Sequence, residues 1–345
     1  MSADPLSDTL ALTDARCAIS RGFAAGGNWA LRFPAPNRLK LTAVVKGSYW
    51  LVLDGADGSA DEGADGGADG GAEGDAGDGA GDTAEKGVLL EAGDVAVFDG
   101  RHPFVLASDP AVEPVDATRL FKDSPEPIVR AGEHAADADT ESADVVSVGG
   151  HIDLNRAGEE LLIQALPPLI HVRATADEAP VLRWLLDQLL REMAADRAGT
   201  GFATGQLTQL MFVQVLRAYL ADAESIPVGW LRALADERIA PALHLMHGDP
   251  GRPWQLSELA GAAAMSRTTF ASRFRAVAGV PPLTYLHNWR MRLAERALRE
   301  EDTPISSLAL SLGYTSDSAF SNAFKRTIGI APKRYRDTAR AAATG

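Results

Sequence analysis

Ser266-Arg267-Thr268-Thr269-Phe270-Ala271-Ser272-Arg273-Phe274 and Ser316-Asp317-Ser318-Ala319-Phe320-Ser321-Asn322-Ala323-Phe324 carry one pattern, fifty positions apart. The register holds downstream: Gly279 meets Gly329, Pro282 meets Pro332 and Tyr285 meets Tyr335. Upstream the offset is forty-nine, with Leu256 on Ile305, Leu259 on Leu308 and Ala260 on Ala309. The one-residue slip falls in the turn before each copy's second helix. A supersecondary unit repeated in tandem is the reading, and each copy reads as a helix-turn-helix.

In the first copy Leu256, Leu259, Ala260 and Ala263 recur at helical spacing. Ser266 is a natural N-cap for the helix that follows. That helix buries Phe270, Phe274 and Val277, turns Thr268, Ala271, Ser272 and Arg275 outward, and ends at Gly279. The second copy offers Thr303 as cap with Pro304 at the first helical position. Its second helix is capped by Thr315 or Ser316, buries Phe320, Phe324 and Ile328, presents Ser318, Ser321, Asn322 and Lys325, and ends at Gly329. Between the copies, Leu283–Glu300 has a helical apolar face of Tyr285, Leu286, Trp289, Leu293, Ala297 and Leu298. Eighteen residues rising about 1.5 Å each span roughly 27 Å. With the bodies of the two units added, the second helices fall about one DNA turn apart, roughly 34 Å.

These residues resemble the AraC-type DNA-binding domain of the AraC/XylS family. Its first half is matched by Leu259-Ala260, Ala263, Met265-Ser266-Arg267, Phe270 and Phe274, and its linker helix by Trp289-Arg290-Met291 and Ala294. The second half is matched by Ile305, Leu308-Ala309, Leu312-Gly313-Tyr314, Ser316, Ala319-Phe320 and Ala323-Phe324, and its ending by Gly329, Pro332 and Tyr335-Arg336. The chain departs from the pattern in two places. Ala264 occupies a turn position where glycine is common, and a left-handed backbone there costs about 1 kcal/mol. Asn322 stands where many members carry arginine, so base preference does not transfer from relatives. The resemblance implies recognition of DNA. Arg267, Arg275, Lys325 and Arg326 are candidates for phosphate or guanine contacts, and Thr268, Ser272, Ser318, Ser321 and Asn322 for base edges. Ala271 is placed to pack on a thymine methyl. For each residue taken singly, a solvated helix position is the competing reading.

A formal net charge of −14 looks wrong for a DNA binder until it is divided along the chain. Residues 236–345 hold fifteen Lys and Arg against ten Asp and Glu, a net of +5, and the remainder carries −19. The nucleic-acid surface therefore belongs to the C-terminal end. Cys17 is the only cysteine, which excludes an intrachain disulfide and a thiolate metal cluster. No apolar run of the eighteen residues that mark a membrane span is present. Met1–Thr13 carries Asp4 and Asp8 and lacks the basic-then-apolar order of a signal peptide. A cytoplasmic protein with no membrane partner is expected.

The N-terminal part reads as short strands and turns. Trp29–Phe33 alternates and stops at Pro34; Leu39–Val45 and Ser48–Leu53 flank Lys46-Gly47 as a hairpin. Residues 54–87 are almost wholly Gly, Ala, Asp and Glu, too poor in apolar surface to order, and lack the regular nine-residue period of a calcium-binding repeat. Strands resume at Val88, Val95 and Pro103, so the acidic loop interrupts a hairpin. Glu113–Asp144 reads mostly as loop with a strand or two, and Val145–Leu154 as a last strand pair or bent strand. The whole resembles the cupin-like sensor domain found ahead of AraC-type domains, through Trp29–Pro34, the strands around Lys46-Gly47, Gly93-Asp94 with His102, and Leu166–Val172. Metal-binding cupins present several histidines and a glutamate. Here His102 alone sits where a ligand belongs, so no metal and no cofactor is assigned. From Glu178 two helices follow: Val181, Leu182, Leu185, Leu186, Leu189 and Leu190 line the first, and Gln206–Ala221 forms the second, apolar around much of its circumference. A dimer seam and intradomain packing both account for that. Trp230–His247 reads as the lead helix of the DNA-binding domain. His244 and His247 share a face near its end, as partners for the helix dipole or a metal pair.

The fold class is thus α+β multidomain: a cupin-like β-barrel or sandwich at 1–175, a helical connector at 176–235, and an all-α domain with two helix-turn-helix units at 236–345. No nucleophile elbow, phosphate loop or paired acid/base set is present, so no catalytic residue is assigned. The function expected is a transcriptional regulator, an activator by resemblance. Its partners are double-stranded promoter DNA, RNA polymerase, an unidentified small-molecule effector and a second copy of the chain. The alternative is a metal-dependent cupin enzyme or metal sensor with an attached DNA-binding domain.

Overall fold

The structure, a computed structural model, describes residues 4–54, 87–124, 126, 128–132, 142–195, 197–222 and 226–343. The chain divides into two compact units. One gathers Arg16–Ile152 and Pro168–Ala218; the other gathers Met1–Ala15, Asp153–Pro167 and Tyr219–Gly345. This cuts the chain differently from the three segments read above. The connector helices belong with the strands, and two short N-terminal pieces belong with the helix-turn-helix repeat.

The first unit holds eleven described strands: β1 (Arg16–Gly26), β2 (Ala30–Phe33), β3 (Leu39–Lys46), β4 (Ser48–Leu53), β5 (Val88–Glu91), β6 (Val95–Phe98), β7 (Phe104–Ala107), β8 (Val115–Asp116), β9 (Ile128–Gly132), β10 (Val145–Asp153) and β11 (Leu169–Val172). They form a six-stranded sheet, β11-β6-β3-β10-β1-β9, and a five-stranded one, β5-β4-β7-β2-β8. Phe23, Trp29, Leu31, Tyr49, Leu51, Leu90, Phe98, Phe104 and Leu106 share one core, each contributing about 1.5–3 kcal/mol by burial. The expected hairpin at Lys46-Gly47 does not form, because β3 and β4 enter different sheets. Gly47 turns that corner at φ +76, where a Cβ would collide with the Asp144 carbonyl oxygen. The hairpin that does form is β4 with β5, pairing Ser48 with Glu91 and Leu51 with Val88. The acidic loop connects those two strands, as read, and its residues 55–86 lie outside the described ones.

Two polar clusters are satisfied inside this unit. The Tyr49 hydroxyl lies 2.7 Å from Thr42 Oγ1 and 2.9 Å from Ser147 Oγ, which donates to the Ala43 carbonyl at 3.0 Å. Asp94 is 4 % exposed and accepts from the backbone N–H groups of Glu91 and Ala174 at 3.0 and 2.7 Å, with His171 Nε2 2.7 Å away. In the stretch expected to be mostly loop with a strand or two, Glu113–Asp144, the described residues hold β8 and β9 and also a helix, α2 (Ala117–Asp123), capped by Asp116.

The other unit begins with α1 (Pro5–Thr13), capped by the Asp4 side chain, and α3 (Arg156–Gly158) running into a π-helical turn, Glu159–Ile163. The two long helices of the strand unit are α4 (Ala179–Ala195) and α5 (Thr200–Ala221). Leu182, Leu185, Leu186 and Leu189 are buried as expected, whereas Val181 is 44 % exposed. The expected lead helix is two, α6 (Trp230–Ala235) and α7 (Ala240–Gly248). Asp236 breaks it, its side chain accepting from the N–H groups of Arg238 and Ile239. Then come α8 (Leu256–Ala262), α9 (Arg267–Ala278), α10 (Pro282–Glu300), α11 (Ile305–Ser311), α12 (Asp317–Ile328) and α13 (Pro332–Ala343). Among the described residues no helix is long and apolar enough to cross a membrane.

Candidate nucleic-acid interface

Each helix-turn-helix has its own core. Leu243, Met246, Leu259, Phe270, Phe274 and Leu286 pack in the first; Met291, Leu298, Leu308, Leu312, Phe320 and Phe324 in the second. Helix α10 supplies Leu286 to one and Met291, Ala294 and Leu298 to the other, so one rigid rod carries both units. The caps repeat with the sequence. Ser266 Oγ accepts from the Thr269 N–H, and Ser316 Oγ from the Ala319 N–H, each at 3.2 Å. Gly279 and Gly329 close the helices in the left-handed region, at φ 77 and 90. In the turns before them Ala264 has φ 51 and its counterpart Gly313 has φ 78, so the alanine bears the strain expected of it. One detail differs from expectation: Pro304, not Thr303, is the cap of α11, and the Thr303 hydroxyl donates to Glu301 instead.

Helices α9 and α12 present the residues singled out by the repeat. Arg267, Thr268, Ser272 and Arg275 are exposed on α9, as are Ser318, Asn322, Lys325 and Arg326 on α12. Ala271 and Ser321, which correspond across the repeat, are both half-buried at the edge of that face. The charges divide in a way the sequence could not show. Arg273 pairs with Asp236 at 2.8 Å, Arg252 with Glu258 at 2.5 Å, Arg292 with Glu160 at 2.6 Å and Arg296 with Glu300 at 2.9 Å. Arg267, Arg275, Lys325 and Arg326 make no ion pair among the described residues. Four unpaired cations therefore sit on the two second helices, while Arg232, Arg238, Lys333 and Arg334 elsewhere in the unit also make no ion pair among the described residues.

A second connection holds the two helix-turn-helix units together, and nothing in the pattern of hydrophobic residues announced it. The turn before α8 meets the turn before α12 backbone to backbone: a Cβ on Gly251 would strike the Ser311 carbonyl oxygen, and one on Gly313 the Gly251 carbonyl oxygen. Over this contact lies Arg290 of α10, donating from Nε to the Pro250 carbonyl at 2.5 Å and from Nη2 to that of Arg252 at 2.8 Å. His287, one turn earlier, lies 3.2 Å from the Tyr314 hydroxyl and 3.0 Å from Thr327 Oγ1. Burial, then the Arg326 and Arg290 charges, holds its pKa below the ordinary 6.5.

His244 and His247 have other partners. His244 Nδ1 lies 2.7 Å from the Ala240 carbonyl oxygen. The buried His247 ring stacks on Trp289 at 4.0 Å between centroids. Burial lowers its pKa despite Asp8, whose carboxylate is 3.5 Å from Nδ1. The buried Tyr285 phenol, its pKa pushed up by burial, lies 2.8 Å from Nε2. Among the described residues no group of three or more His, Cys, Asp or Glu can hold a metal ion; His102 is half-buried in the turn before β7.

Comparison with known proteins agrees with this architecture. The cupin family matches residues 4–63 and 73–221, and the helix-turn-helix domain family matches residues 259–338. A Streptomyces lividans protein described as an AraC-like transcription regulator is 37% identical over 333 residues, covering 96% of this chain and 98% of its own. The chain belongs to the AraC-like transcription regulators. It is a DNA-binding transcription regulator with a cupin-like N-terminal domain. Another relative, the regulator AlkR of Acinetobacter baylyi, is 34% identical, covering 56% of this chain and 62% of its own. Among solved structures, the DNA-binding domain of AdpA in complex with a target DNA is 32% identical, covering 30% of this chain and 93% of that one, at a TM-score of 0.29.

Proposed function

We propose that this AraC-like regulator reads two successive major-groove segments on one face of promoter DNA, with α9 in one and α12 in the next. The observation that carries the reading is the placement of four unpaired cations on two equivalent helices fixed to one rod. Arg267, Arg275, Lys325 and Arg326 hold phosphate or guanine, while Thr268, Ser272, Ser318, Ser321 and Asn322 meet base edges and Ala271 a thymine methyl. The domain's net charge of +5 is modest, so affinity rests on positioned contacts as well as bulk charge. The regulator works in the cytoplasm as an activator that contacts RNA polymerase, under a small-molecule effector, and is not an enzyme. It acts as a homodimer. Val181 and Trp184 on α4 are 44% and 56% exposed, and Phe202 and Leu210 on α5 are 76% and 41% exposed. That is apolar surface a second copy would cover.

The test is fluorescence anisotropy of the full chain on its upstream DNA and on a scrambled duplex, across a salt series. Specific binding should survive physiological salt. Asn322→Ala should weaken it by about 1–3 kcal/mol on the specific site only. Equal loss on both duplexes would leave Asn322 a phosphate contact and remove the base-reading role.

A further inference from the structure

The unit that carries the two readers also holds a cavity of about 710 Å3 that DNA reading does not use. Ligand pockets run from about 300 to 1,000 Å3. Close-packed interiors leave few voids larger than a water molecule. Its walls come from the whole unit: α1, the Arg156–Leu161 segment, α6, the middle of α10, and the end of α12 with the start of α13. Trp230, Trp289 and Tyr335 supply aromatic faces, and Leu161, Ile328 and Ile330 aliphatic ones.

The polar groups restrict what can enter. Four charged side chains line the space, and they neutralise one another. Arg292 pairs with Glu160 at 2.6 Å and Glu295 at 3.2 Å, and Arg156 with Glu160 at 3.4 Å. An anion or cation would have to break one of these pairs or leave a charge unmatched in a largely apolar space. The Trp230 indole is also committed, donating to the Leu161 carbonyl at 3.0 Å. Two donors are not. The Trp289 indole N–H is buried without a hydrogen-bond partner, and the exposed Asn288 side-chain amide, one residue before it, makes no hydrogen bond among the described residues. Both residues line the cavity. A neutral occupant with oxygen acceptors would relieve an unsatisfied donor that otherwise bears its full desolvation cost.

We infer that this cavity is a ligand site for a neutral, planar aromatic molecule bearing carbonyl oxygens, and that its occupancy controls DNA reading. The control follows from the walls: Tyr285 and Ala278 come from the first helix-turn-helix side, Thr327 and Ile328 from the second, and α10 runs between. A molecule touching both sides favours one spacing of the readers, and the coupling is reciprocal. This second half rests on the two-segment reading proposed above; the ligand site does not.

The probe is Nile red, a neutral planar aromatic ketone whose emission rises in apolar surroundings, titrated into the full chain. Saturable binding is expected. Asn288→Trp, which fills the space from an exposed helix position, should weaken it at least about tenfold with far-UV circular dichroism unchanged. In parallel, benzophenone, a photoreactive aromatic ketone, is crosslinked to the wild-type chain and mapped by peptide mass spectrometry, so the result does not depend on a variant that folds. Crosslinks on α10 and residues 327–335 are expected. Crosslinks confined to residues 16–218, or undiminished dye binding by Asn288→Trp, would overturn the site. For the control, saturating Nile red should shift affinity for a two-segment duplex and leave a one-segment duplex unchanged. No shift on either, with the crosslinks in place, would overturn the control and keep the site. Absence of any specific DNA binding would refute the reading it rests on, with the ligand site still decided by the crosslinks.

Discussion

Replacing Arg290 with methionine should uncouple the two readers without unfolding either. Methionine keeps the helix propensity and the apolar stem, and removes the guanidinium that ties α10 to the turn before α8. Two bonds are lost, to the Pro250 and Arg252 carbonyls at 2.5 and 2.8 Å. Hydrogen bonds to a charged group contribute about 1.5–3 kcal/mol each. The arginine is half-buried, and solvent screening cuts the pair to about 2–3 kcal/mol. The filled cores around Phe274 and Phe324 do not include this residue, so helix content and the reading face of each unit should survive. The loss should fall on the fixed spacing. At 1.4 kcal/mol per tenfold, affinity for a two-segment duplex should drop about 30- to 140-fold. A duplex with its second segment scrambled should bind Arg290→Met as it binds wild type. Anisotropy on the two duplexes reads both numbers. Equal loss on both would mean that Arg290 contacts DNA or supports one reader alone. No loss on either would mean that α10 by itself sets the spacing, and the lock argument fails.

Two other perturbations test different parts. His247 has its pKa held below the ordinary 6.5 by burial, so below that pH the unfolded chain takes up a proton the folded one refuses. Stability from this group is full above pH 6.5 and declines as pH falls through the depressed value; His287, also depressed by burial, adds the same sign. The thermal midpoint should therefore fall more steeply from pH 7.5 to about 5 in wild type than in His247→Gln, and identical profiles would remove His247 as the cause. On the strand unit, Trp184→Lys with Phe202→Lys should turn a dimer into a monomer in sedimentation at micromolar concentration. A wild-type monomer, or a dimer that ignores both lysines, would refute the α4/α5 seam.

The reader half was legible because its signals are local and written twice. Serine caps, left-handed glycines and paired phenylalanines fall at matching positions, and tertiary packing had nothing to override. Even the left-handed backbone at Ala264 followed from a turn position where glycine is common, and its counterpart Gly313 shares it. What escaped were features set by distant partners. The break at Asp236 depends on its capping bonds and on Arg273, thirty-seven residues away. The corner at Gly47 depends on Asp144 arriving from the far end of the strand unit. Helix α1 is short and weakly amphipathic, and its partners lie far away in sequence: Leu6, Thr9 and Leu12 are buried, and Asn155 donates to the Leu12 and Thr13 carbonyls. Of the ten residues of the candidate DNA face singled out by the repeat, eight are exposed, and Ala271 and Ser321 are half-buried. Which of its arginines are free and which are neutralised needed three dimensions, since Arg273 and Arg275 look alike in the sequence.

The central claim is that one chain reads two boxes at a fixed spacing. The most direct measurement is selection of duplexes from a random pool by the full chain, followed by sequencing. The account predicts convergence on two short boxes whose centres lie about one helical turn apart, 10–10.5 base pairs. A single box, or two boxes at freely varying separation, would contradict it.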